Sequence, residues 1–339
     1  MEEKKIIAYK GFDENLRCRG YQFEVGKEYE QEGEIVCCEN GFHACTNPFD
    51  VLNHYDANGK NRFCIVEQSG VIKTEGDFDT KQASSKIKIK EEIGISGLFK
   101  AAIEWIKGIT NTDVIAKETK EKDNIEFSAC AKISSSSFCD KIGSSGDYAT
   151  IGSIGDDVQI GSSGSWARIG SSGCGAKIGS SGYFAKIASS GEYAQIGSSG
   201  EYANIGSSGC GARISSSGYG AKIDSSGYGV EIGSSGYNAA IASSGDYARI
   251  WSSGYGAQIA SSGFSANIDS TGEYAIICCA GHKSMAKAKK GSWISLAEWK
   301  YSEEKKHIIP VCVKTEFVDG ERIKEDTWYK LVDGEFKEV

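Results

Sequence analysis

The chain has 339 residues with 43 glycines, only two prolines, 12 cysteines and a formal net charge of −8. No apolar run reaches 18 residues, which excludes a membrane-spanning helix, and the start MEEKKIIAYKGF lacks the apolar core of a signal peptide. The cysteines have no CxxC spacing and read as reduced cytoplasmic thiols, while the acidic balance argues against a nucleic-acid coat.

Residues 1–75 read as a small α/β domain. Ile6–Lys10 and Phe63–Glu67 have strand composition, and the stretch from Asn47 to Tyr55 predicts a helix with Asn47 as N-cap and Pro48 at its first position. Residues 76–128 read as a connector and N-terminal cap for the repetitive region beyond them. This connector holds a strand at Lys86–Ile89, an amphipathic helix over about 96–107 carrying Leu98, Phe99, Ala102, Ile103 and Ile106, and an exposed charged stretch from Lys117 to Glu126.

Residues 129–279 are repetitive. From Ile133 to Ile277 an isoleucine stands at every ninth position, seventeen in unbroken register. Numbered from that isoleucine, the unit is Ile-Gly-Ser-Ser-Gly-x-x-Ala-x. Ala, one residue, then Ile is strand alternation, so both side chains face one interior. Gly-Ser-Ser-Gly supplies a turn, and the fifth-position glycine predicts backbone at positive φ. One unit cannot bury its own apolar face, whereas stacked units share a core. The expected fold class is therefore mainly β, a parallel β-solenoid.

Charge decides how many units make one coil. All eight Lys/Arg between 131 and 279 stand just before the isoleucine, and equivalent residues of successive coils stack ~4.8 Å apart, where like charges repel. Two units per coil stack only Arg168 on Lys186; three would stack three such pairs. About 18 residues per coil and about eight coils are therefore expected, with one cationic row of Lys132, Arg168, Lys186 and Lys222. A second row of Lys141, Lys177, Arg213 and Arg249 alternates with Gln159, Gln195, Glu231 and Asn267. Tyr219, Tyr237 and Tyr255 then fall in one column at a turn. The second row and this column are the candidate binding residues. Residues 280–339, with Trp293–Trp299, Ile308–Val318 and Trp328–Leu331, read as an antiparallel β cap.

Chemical motifs are few. A constant Asp is missing from the repeat, so a calcium ladder is excluded. Cys37, Cys38, His43, Cys45, His54 and Cys64 cluster in sequence, but the vicinal pair is poor ligand spacing and structural thiols are expected, with no metal. No P-loop, GxGxxG, GxSxG or HExxH is present, and no cofactor is expected.

Gly41-Phe42-His43-Ala44-Cys45, the Ser/Gly/Ala nonapeptides, Gly291-Ser292-Trp293-Ile294-Ser295-Leu296-Ala297-Glu298 and Thr327–Leu331 together resemble uncharacterised proteins of phages and prophages of Gram-positive bacteria. That resemblance implies a phage origin and brings no catalytic residues. A second one covers the N-terminal unit alone. Tyr9-Lys10-Gly11 on a first strand, the segment 41–45 leading into a helix that ends at Tyr55, and a strand before Gly70 are similar in layout to ADP-ribosyltransferase folds. It implies a basic residue on the first strand, here Lys10, and a late acid, here Glu67. No Arg or His stands on that strand and no Glu/Gln-x-Glu pair occurs, so no transfer chemistry is expected. A cleft joining Lys10, His43 and Glu67 would instead mark an enzyme.

The expected function is a non-enzymatic, cytoplasmic phage accessory protein. Its rigid solenoid would bind, and inhibit, a host defence component. The partner would be a host protein or an anionic small molecule held between rods in a homo-oligomer, with no membrane and no nucleic acid. The rival readings are a transferase-like N-terminal enzyme and a virion structural or attachment protein.

Overall fold

The computed structural model describes residues 4–37, 39–55, 61–74, 80–94, 97–98, 101–102, 105, 124–126 and 130–339. The chain forms two compact units, 1–105 and 106–339, so the N-terminal unit runs beyond residue 75.

The N-terminal unit contains strands β1 (Ile6–Phe12), β2 (Arg17–Cys18), β3 (Tyr21–Gln22), β4 (Glu28–Glu30), β5 (Phe42–Cys45), β6 (Arg62–Thr74) and β7 (Lys81–Glu92). The sheet order is β4-β7-β5-β1-β6, and β6 pairs with β7 as well, so the sheet closes on itself. Ala8, Phe12, Phe42, Cys64, Val66, Ile87 and Ile89 pack on one face. The helix expected over 47–55 is a 3-10 helix, Pro48–Asn53, and Asn47 caps it as expected by accepting from the Phe49 N–H. Asp50 in that turn is buried and accepts from Asn47 Nδ2 and from the N–H and Oγ1 of Thr80. Of the helix expected over 96–107, Gly97, Leu98, Ala101, Ala102 and Trp105 are described; all are helical, and Leu98 and Ala102 are buried. Phe99, Ile103 and Ile106 lie outside the described residues.

The repeat forms a parallel solenoid of about nine turns with successive turns ~18 residues apart, as the charge argument requires. Strand β8 (Asn124–Glu126) is followed by four-residue strands from β9 (Lys132–Ser135) to β26 (Met285–Ala288), one per nonapeptide. Even-numbered strands form one sheet and odd-numbered strands the other, each in register at eighteen residues, as in Ile178↔Ile196 and Ile187↔Ile205. The solenoid therefore begins earlier than the repeat: β8 comes from the charged stretch and pairs with β10 (Lys141–Ser144). The rest of that stretch, 117–123, lies outside the described residues. Isoleucines and eighth-position alanines of both sheets fill one continuous core. Third-position serines also point inward, and Ser225 Oγ donates to the Ser207 carbonyl one coil earlier.

The fixed glycine has a different cause from the one expected. Positive φ occurs at the seventh position, where Tyr148, Trp166, Phe184, Tyr193 and Tyr202 adopt it alongside Gly211, Gly220 and Gly229. The fifth-position glycine is required by close approach. A Cβ there would lie 1.8–2.1 Å from the carbonyl oxygen of the fifth-position residue one coil earlier.

The C-terminal end is closed by antiparallel strands. Strand β27 (Trp293–Ser302) continues the odd sheet and pairs with β28 (His307–Phe317); β29 (Tyr329–Val332) pairs with β26 at Ala286↔Tyr329 and with β30 (Glu335–Glu338). Each sheet thus receives its own terminating strands, and Val318, Ile323, Tyr329 and Leu331 seal the core. Among the described residues no helix is long and apolar enough to cross a membrane.

Candidate functional sites

Two sets of side chains stand out: those repeated along the solenoid and those converging in the N-terminal unit. On the odd sheet of the solenoid the ninth, second and fourth positions face outward, whereas on the even sheet the second position is buried, as at Ser215, Trp251 and Asp269. The row Lys141, Lys177, Arg213 and Arg249 lies on the even sheet and is half-buried. It alternates in register with Gln159, Gln195, Glu231 and Asn267. Glu231 bridges two of the cations, accepting from Arg213 Nε at 3.1 Å and Arg249 Nη1 at 3.3 Å. The row Lys132, Arg168, Lys186 and Lys222 on the odd sheet is exposed, with no ion-pair partner among the described residues. Arg168 and Lys186 are stacked neighbours there, as expected.

Beside that exposed row runs a shallow trough of about 1270 Å³. Its floor is the second position of the odd strands, mainly Gly and Ala (Gly152, Gly170, Ala188, Gly206, Ala242 and Ala260) but also Ser134, Asp224 and Cys278, and the serines of the third and fourth positions border it. Small second-position side chains leave much of the backbone bare along the rod, interrupted by the exposed Asp224 and Cys278.

Aromatic rings occupy the turn that leads from even to odd strands. Tyr148, Trp166, Phe184 and Tyr202 stack in sequence with centroids 6.3, 4.4 and 5.2 Å apart and planes within 17° of parallel. Tyr219 meets Tyr202 edge-on at 5.4 Å and accepts a hydrogen bond at its hydroxyl from Asn238. Tyr237, Tyr255 and Tyr274 continue the ladder at 6.2 and 5.2 Å. The column expected for Tyr219, Tyr237 and Tyr255 is thus part of a longer one that also draws on the seventh position. Stacked rings of this kind present edges and hydroxyls to solvent, and shield the turn backbone behind them.

In the N-terminal unit, β1 and β5 pair at Tyr9↔Cys45 and then part. A cleft of about 670 Å³ opens at this fork. Lys10 forms its base: the side chain is buried, and Nζ donates to the His43 carbonyl at 2.8 Å and lies 3.5 Å from Cys18 Sγ. Cys18 Sγ is in turn 3.0 Å from Tyr55 Oη. Gly11 lets the Tyr55 ring lie on β1, since a Cβ there would stand 2.4 Å from ring atoms. Burial pushes the Lys10 pKa down; burial, with Lys10 nearby, pushes His43 down to about 4. His43 is therefore neutral at pH 7.

Lys10 and His43 thus share a cleft, but Glu67 does not line it. Glu67 stands opposite Ile7 in the β1–β6 ladder and pairs with Lys5 at 3.0 Å and Lys90 at 3.6 Å. Strand pleat explains this, because Ile7 and Lys10 point to opposite faces of β1. The cysteines clustered in sequence disperse into separate apolar cores: Cys64 with Phe12 and Val66, Cys45 with Val51 and Phe63, and Cys37 with Ile35. Cys38 lies outside the described residues. The Lys10–Cys18–Tyr55 contacts had no sequence signal, since they join residues with no common spacing.

These features define a two-unit protein: a small closed-sheet unit with a basic cleft, and a capped two-sheet parallel solenoid. Residues 6–101 match a family described as a domain of unknown function, DUF7666. No curated protein and no solved structure matches the chain.

Proposed function

We propose that the protein is a non-enzymatic binding scaffold whose solenoid presents an elongated surface to a partner. The observation that carries this reading is the odd sheet's outer face, where a trough floored mainly by Gly and Ala, with the single acid Asp224 among its described lining residues, runs beside four exposed cations. A rigid face of this kind binds with little ordering cost, and unpaired surface cations steer an anionic partner. The resemblance to phage and prophage proteins makes a host component, such as a defence factor, the proposed partner. Inhibition would follow from occupying that partner's working surface.

The test is a capture experiment from host lysate with two charge-reversed variants. Changing Lys132, Arg168, Lys186 and Lys222 to Glu should abolish capture and leave the melting temperature nearly unchanged, because exposed charges add little to stability. The same change at Lys177 alone should have a smaller effect. Capture should also weaken as salt rises. Equal capture by the parent and the fourfold variant would remove the odd face from consideration.

A further inference from the structure

We propose that the cleft between β1 and β5 is a binding site for a small organic anion carrying a flat ring, its acidic group seated on Lys10 Nζ. This goes beyond the scaffold reading and does not depend on the solenoid.

Among the described residues, the buried ammonium of Lys10 has no counter-charge. Lys10 is 5% exposed, and an ammonium group held out of water costs several kcal/mol unless an anion or a full set of acceptors compensates it. Its partners among the described residues are one carbonyl oxygen and one thiol, with the Phe12 ring 5.4 Å away. That leaves a donor of the three-donor ammonium unused. No carboxylate among the described residues forms an ion pair with it, and the nearby Arg19 guanidinium adds to burial in disfavouring its charge. A Met of similar length would fill the same space without the penalty. Lys10 is thus costly to the empty fold and is compensated once an anion enters.

The rest of the lining fits that occupant. Among the described residues, Arg17, Arg19 and Lys81 border the cleft against two acids, Asp13 and Glu39. Asp13 is already committed, its Oδ1 accepting from the N–H groups of Asn15 and Arg17. Tyr9, Tyr21, Phe42 and Tyr55 supply apolar and ring surface, and 670 Å³ falls within the ~300–1,000 Å³ of small-molecule sites.

Phenyl phosphate and benzoate are suitable probes, titrated calorimetrically into the full chain with inorganic phosphate as the comparison. One-to-one binding of either ring-bearing probe, about tenfold tighter than inorganic phosphate (~1.4 kcal/mol), is the expected result. Lys10→Met should abolish it while the melting temperature holds or rises. No binding of either probe at about 10 mM, an affinity weaker than ~2.7 kcal/mol, would overturn the proposal. So would undiminished binding in Lys10→Met. A fall in melting temperature with no binding by the parent would make Lys10 a structural pin for the His43 carbonyl, which also overturns it. If Lys10→Met does not fold, Arg19→Gln on the exposed rim decides: at least fivefold weaker binding supports the site, and unchanged affinity removes it.

Discussion

Ile196 and Phe63 are both buried, yet they are buried by different means. Ile196 lies between Ile178 and Ile214, one coil to either side, in an arrangement repeated along the whole rod. Phe63 packs with Cys45, Val51 and Leu98, a combination that occurs once. The environment of a solenoid residue follows from its place in a count of nine. That of an N-terminal residue follows from contacts between distant segments. The same contrast governs polar groups. Second-position glycines and fourth-position serines are interchangeable along a face, whereas Asp50 and Lys10 each have a single set of partners.

The sharpest way to break the solenoid's side of this contrast is a charge in its interior. Ile196→Asp should cost more than about 4 kcal/mol, because an isolated buried carboxylate finds no partner among stacked aliphatics. A melt within a degree or two of the parent would contradict the inward ladder. Next comes the glycine column. Gly200→Ala sets a Cβ 2.0 Å from the Gly182 carbonyl oxygen, and the forced separation of two coils should cost about 3 kcal/mol. Gly206→Ala meets nothing within 4 Å and should leave thermal stability nearly unchanged. A repeat that treats its glycines alike would fail this pair.

On the N-terminal side, Asp50→Ala strips the acceptor from Asn47 Nδ2 and from both Thr80 groups. Losing hydrogen bonds to a buried carboxylate should cost about 2 kcal/mol, measured by denaturant unfolding. The smallest effect concerns the cap, where Glu316 lies between Arg322 and Lys314. The Arg322 hydrogen bond, seconded by Lys314, holds its pKa at about 2, below the ordinary 4.5. A depressed acid stabilises the fold above its unfolded value. This contribution is therefore fully present above pH ~4.5 and is lost as pH falls towards 2. The melting temperatures of the parent and Glu316→Gln should differ most near neutrality and converge in acid. A constant difference would show that the ion pairs are not the cause.

The contrast also explains what could be read in advance. The coil length was legible because repulsion between stacked cations leaves a trace in where Lys and Arg are permitted. Inward Ile and Ala were legible because strand alternation needs no distant partner. The glycine's cause was not, since the contact it permits lies eighteen residues away and only coil stacking reveals it. Likewise, Asn124–Glu126 carries no nonapeptide signature, and only its pairing with β10 places it in the rod. In the N-terminal unit, Lys10 and His43 were legible as neighbours of a first strand. Glu67 was misplaced for the enzyme reading because a sequence gives order along a strand but not which neighbour it will salt-bridge. Cys18 and Tyr55 meet only through the folded chain.

The way the rod ends constrains how its gene can change in length. Strand β28 completes one sheet and β29–β30 the other, so the terminal segment distinguishes left from right. Deleting one nonapeptide would exchange the two sheets for every residue downstream and deliver the terminal strands to the wrong sides. Deleting or duplicating two leaves all outward rows in place and alters only the rod's length, by one inter-strand step of ~4.8 Å. Heritable length variation should therefore come in multiples of 54 nucleotides, three for each residue of an eighteen-residue coil.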